Sequence, residues 1–90
     1  MEKTELEHIK RLTTIACNVF LESGFVVEAD EVNAEPEGYE IRLELTKIGF
    51  NPPIDGLGVE IARRIGEGAR VRVLEPIIGS KHLFVLVRKN

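Results

Sequence analysis

The sequence predicts one α+β domain with the element order α-β-β-α-β-β, and three observations carry that prediction. Apolar residues recur at helical spacing over residues 4–23, and Leu57, Ile61 and Ile65 repeat the pattern in a shorter segment. Residues 39–47 alternate cleanly, with Tyr39, Ile41, Leu43 and Leu45 facing inward and Glu40, Arg42, Glu44 and Thr46 outward. Between the two strand pairs, Pro52-Pro53 and Gly66 bracket a helix. Residues preceding proline are pushed out of helical backbone space, and a left-handed glycine ends a helix. Connection rules make the second strand, the second helix and the third strand a right-handed crossover. The run LFVLV at 83–87 is apolar on both faces, so the fourth strand belongs inside the sheet. The expected architecture is a four-stranded, mainly antiparallel sheet in order 1-2-4-3, with both helices on one face.

Each element has its own signals. Thr4-x-x-Glu7 reads as a capping box in which each side chain satisfies a free backbone N–H. Leu6, Ile9, Leu12, Ala16, Val19 and Phe20 form the first helix's apolar stripe, widened by Ile15. Gly24 stops that helix and brings Phe25 against Phe20. Residues 25–32 and 39–47 form a hairpin around the turn at 35–38, where Pro36 presets φ and Gly38 closes the loop. Matching the apolar faces sets Val27 opposite Leu45 and Ala29 opposite Leu43. Glu28 then meets Glu44, Asp30 meets Arg42, and a bulge or an odd-length loop is required near Asn33. The second helix takes Asp55 as its N-cap, and Gly58 and Ala62 beside its stripe let it approach the sheet closely. Residues 69–75 and 82–88 form a second hairpin with Gly79-Ser80 as its turn, and Pro76 marks a bulge or an edge.

Ninety residues suffice for one core, so the domain is expected to span 1–90. The absence of Trp and Gln beside abundant Glu, Arg and Lys is a thermophile-like composition. No apolar run approaches the roughly 18 residues that span a bilayer. The charged first residues lack a signal-peptide core, so a soluble cytoplasmic protein is expected. Cys17 is the one cysteine, in an apolar helical setting, which excludes a disulfide framework and predicts a buried structural thiol.

Charge is segregated along the chain. Residues 28–44 hold seven acids (Glu28, Asp30, Glu31, Glu35, Glu37, Glu40 and Glu44) against Arg42 alone. Residues 61–90 hold Arg63, Arg64, Arg70, Arg72, Lys81, Arg88 and Lys89 against Glu67 and Glu75. No nucleophile lies beside a base and an orienting acid, with His8 on a helix flank and His82 near a turn, so covalent catalysis is not indicated. The leading expectation is a non-enzymatic binding or assembly module. Its acidic and basic surfaces would pair with each other between copies, or with a charged protein partner.

Two other readings attach to particular residues. Glu28, Asp30, Glu40 and Glu44 share an exposed strand face and could hold a divalent cation, although Arg42 projects among them. No other cofactor is implied. Arg63, Arg64, Arg70 and Arg72 are the anion or partner-binding candidates. Their use on nucleic acid is disfavoured by a pI near 5.4 and by the lack of interleaved aromatics, Phe84 reading as core. The glycines at 56 and 58 could expose helix N–H groups to phosphate, but Asp55 would repel it. Asn51-Pro52-Pro53 before a helix resembles in spacing the Cys-Pro-x-Pro helix of TusA-like sulfur carriers. Asn51 stands where those proteins place the sulfur-bearing cysteine, so the resemblance implies no sulfur chemistry.

Overall fold

Side-chain periodicity separates the elements into two layers. The structure, a computed structural model, describes residues 3–48, 54–66, 68–74 and 81–88. Helices α1 (Lys3–Glu22) and α2 (Ile54–Ile65) pack side by side on one face of a sheet built from β1 (Phe25–Glu35), β2 (Gly38–Ile48), β3 (Arg70–Leu74) and β4 (His82–Arg88). The strand order is β1-β2-β4-β3, with every neighbouring pair antiparallel. Helix α1 lies over β1 and α2 over β3. Among the described residues, no helix is long and apolar enough to cross a membrane.

The core is the inner layer of this stack. Ile9, Leu12, Ala16, Val19 and Phe20 of α1 meet Ile41 and Leu43 of β2, Leu83 and Val85 of β4, and Leu57, Ile61 and Ile65 of α2. Leu6, expected in the α1 stripe, is 43% exposed, because burial along the helix begins one turn later at Ile9. Helix α1 also starts at Lys3, which places Thr4 inside the first turn rather than at the cap. At its other end Gly24 adopts φ 93°, and Phe25 meets Phe20 edge to face at 5.9 Å. Helix α2 starts at Ile54, so Asp55 lies in its first turn and not before it. Gly58 is buried where α2 crosses β3, and a Cβ there would touch the Val71 carbonyl oxygen at 3.5 Å.

Gly66 ends α2 with φ 76° and donates its N–H to the Ala62 carbonyl at 3.0 Å. Arg11 of α1 reaches across to donate to the Ile65 carbonyl at 3.1 Å, placing a cation at the negative end of that helix. In the first hairpin Val27 pairs with Leu45, Ala29 with Leu43 and Glu28 with Glu44. Its two-residue turn is Pro36-Glu37. The bulge falls at Asp30 rather than near Asn33, with a second irregularity between Val26 and Val27. Beyond it Glu31, not Asp30, sits opposite Arg42. Residues 51–53, 76 and 79–80, with their expected proline and glycine turns, lie outside the described residues.

Candidate functional site

Successive residues of a strand point to opposite faces, and β4 uses both of its faces. Leu83, Val85 and Val87 enter the core, leaving His82, Phe84, Leu86 and Arg88 on the side away from the helices. Register extends that side across the sheet in four rows. Glu28, Glu44 and His82 form the first row, and Glu31, Arg42, Phe84 and Leu74 the second. Asn33, Glu40, Leu86 and Arg72 form the third row, and Glu35, Gly38, Arg88 and Arg70 the fourth. Among the described residues no element covers this face. Phe84, expected in the core, is therefore half-buried on the open side, with Leu86 and Leu74 beside it. The error has a simple origin: His82 and Arg88 share the parity of Phe84, and the two charged ends mark that parity as the solvent side.

Columns of this grid differ in charge. The acids gather on β1 and β2, the apolar side chains on β4, and Arg70 and Arg72 on the β3 edge. Arg42 is held by the bulge residue Asp30, its Nε and Nη2 donating to Oδ2 at 3.0 and 2.8 Å, with Glu31 at 3.6 Å. Arg88 pairs with Glu37. Among the described residues Arg70 and Arg72 make no ion pair, nor do Glu28, Glu35, Glu40 and Glu44.

The four candidate arginines thus divide between the two faces. Arg63 and Arg64 belong to the helical layer, where Glu60 accepts from both and Glu22 of α1 accepts a bidentate pair from Arg64 at 2.7 Å. Hydrogen bonds from Arg63 and Arg64 hold the Glu60 carboxyl down at about 2, and the bond from Arg64 lowers Glu22. The same bonds raise both arginines above their ordinary value. A groove of about 400 Å³ between the helices, lined in part by Val19, Leu57, Glu60 and Arg64, has its charges engaged with one another in this network.

The four carboxylates of the cation reading are also only partly assembled. Asp30 and Glu44 come together, but their third neighbour is His82, with donor atoms of all three within 4.8 Å of one another. The His82 Nε2 lies 3.2 Å from Asp30 Oδ2. Glu28 faces Glu44 across the strands, while Glu40 lies four residues along β2, about 13 Å away at strand rise. His82 could have been found from sequence by extending the 1-2-4-3 order to a β2–β4 register. Cys17 is half-buried against the core, and desolvation raises its thiol pKa, the environment of a structural thiol. His8 is exposed and packs edge-on against Tyr39 at 5.6 Å. No protein-family model matches this chain, and no curated protein or solved structure is detectably similar to it.

Proposed function

We propose that this chain is a non-enzymatic binding module that engages a protein partner through the open face of its sheet. The observation that carries the reading is the placement of Phe84 and Leu86, half-buried and outside the core, between an acidic and a basic column, with Leu74 at the end of the basic one beside Phe84. A contiguous apolar strip rimmed by charge is the composition of a protein interface, where the centre supplies affinity and the rim supplies orientation. Among the described residues Phe84 is the one aromatic on this face, and a lone ring beside a half-sheet of carboxylates is a poor platform for stacked bases.

Amide chemical shifts of the labelled protein test the reading in parallel arms: rising protein concentration, a short oligouridylate, and divalent cations. Perturbations on residues 28–35, 70–74 and 82–88 with rising protein supports it. Perturbation confined to the helices contradicts it.

One observation favours a second reading, a divalent-cation site. Asp30, Glu44 and His82 present two carboxylates and an imidazole within reach of one ion. Mixed nitrogen and oxygen donors suit Zn²⁺ or Mn²⁺ better than Ca²⁺ or Mg²⁺. Arg42 already neutralises Asp30, so an ion must displace that guanidinium or share the carboxylate. Saturating Zn²⁺ or Mn²⁺ effects localised to residues 30, 44 and 82 support this reading, and their absence leaves a solvated ion-pair cluster.

A further inference from the structure

Resting on the open-face reading, we infer that its occupant is a second copy of this chain, docked face to face about a two-fold axis parallel to the strands. Two acid–arginine pairs on this face are held apart within one molecule. Arg72 and Glu40 share a row, but Leu86 of β4 lies between them. Two strand spacings separate their backbones by about 10 Å. Arg70 and Glu35 are separated by both inner strands, about 14 Å. The fold therefore displays an acidic column and a basic column that remain apart in the monomer, where every other described arginine has found an acid or a carbonyl.

Symmetry then selects one arrangement. A two-fold axis along the strands keeps each row on itself and reverses the column order, laying the β3 edge of one copy over the β1 edge of the other. Arg70 then faces Glu35 of the second copy, and Arg72 lies over Asn33, one strand spacing from Glu40. Each β4 strip lies over β2 of the other copy, half a strand spacing from the axis, so that Phe84 and Leu86 of the two copies come side by side across it. An axis across the strands would instead lay acid on acid and arginine on arginine. Pairing edge to edge, β1 onto β3, would also match charges, but it leaves Phe84 and Leu86 in water and propagates into open chains. Face-to-face packing alone answers both features, and the strands of the two sheets then run within the roughly 30° of aligned sandwiches. Four strands of about seven residues offer a face of roughly 19 by 23 Å. That lies at the low end of specific interfaces, so the dimer is weak and salt-sensitive.

Sedimentation equilibrium from micromolar to millimolar protein, at low and high salt, tests this with three variants whose folding is checked by thermal melts. The wild type is expected to form dimers whose dissociation constant rises about tenfold or more with salt. Phe84→Asp is expected to be monomeric. Arg70→Glu is expected to weaken the dimer several-fold, and the doubly reversed Arg70→Glu/Glu35→Arg to restore it, because each copy then regenerates the pair. A wild-type monomer at millimolar protein and low salt overturns the second-copy inference, and the open-face reading is then judged by whether a neutral gadolinium chelate broadens Phe84 and Leu86 in dilute protein. Dimers indifferent to Phe84→Asp overturn the open-face reading itself. Indefinite association identifies edge pairing, and failed rescue by the double variant rejects the axis; either result overturns the arrangement.

Discussion

Strand β4 presents two surfaces that differ in what they do for the molecule. Leu83 and Val85 are at most 1% exposed within the core, whereas Phe84 and Leu86, one residue along in each case, lie half-buried on the side that no described element covers. The inner set determines whether the chain folds. On the proposed reading the outer set contributes little to folding and serves association instead. A strand apolar on both faces thus need not be buried on both.

The sharpest way to break that contrast is to truncate both faces in turn. Leu83→Ala is expected to cost about 2–5 kcal/mol by opening a cavity, and Phe84→Ala under about 1 kcal/mol in dilute solution. Equilibrium denaturation measures both, and equal costs would place Phe84 in the core after all.

A second test concerns the place where the two hairpins touch. A Cβ on Gly38 would sit 1.9 Å from the Val87 carbonyl oxygen, so Gly38→Ala must push the start of β2 off β4. An expected loss of roughly 2–3 kcal/mol, read from the same denaturation curves, follows from that clash. Smaller effects separate two glycines of α2. Gly66→Ala places a side chain at φ 76° and is expected to cost about 1 kcal/mol. Gly56 lies inside the helix with open space around its Cβ direction, so Gly56→Ala is expected to be neutral or to stabilise by up to about 1 kcal/mol. Thermal melts of the pair decide whether the helix limits are as described.

The smallest effect belongs to the helical layer's ion pairs. Glu60 is depressed to about 2 and Glu22 is lowered, both by arginine hydrogen bonds. A carboxylate depressed by folding contributes stability above its unfolded pKa and loses it as pH falls through the folded one. The contribution of Glu60 should therefore disappear between about pH 4.5 and pH 2. Being exposed, the pair is worth little, and Glu60→Gln should flatten only a shallow part of the acid limb in a pH series of melts.

Much of this organisation is legible in the sequence because periodicity acts locally. Alternation in β2, the stripe of α2, the stop at Gly66, the limits of β4 and the strand order all follow from residues near one another. The bulge at Asp30 does not, because apolar matching requires an extra residue without fixing where it goes. The face assignment of Phe84 and the arrival of His82 beside Asp30 and Glu44 depend on pairing between β2 and β4, which are distant in the chain. The pairing of Arg64 with Glu22 likewise depends on how two helices cross. The candidate site is a product of tertiary register, and composition showed only that the charges were segregated.

If association uses this face, Phe84 and Leu86 are open to solvent in the lone molecule and covered in the associated one. Paramagnetic broadening by a neutral gadolinium chelate measures this directly, with Val59, 72% exposed on α2, as the internal control. In dilute protein at high salt, Phe84, Leu86 and Val59 resonances are all expected to broaden. In concentrated protein at low salt, Phe84 and Leu86 are expected to become protected while Val59 stays broadened. Protection of Phe84 and Leu86 under both conditions, or of Val59 in their place when the protein is concentrated, would contradict the account.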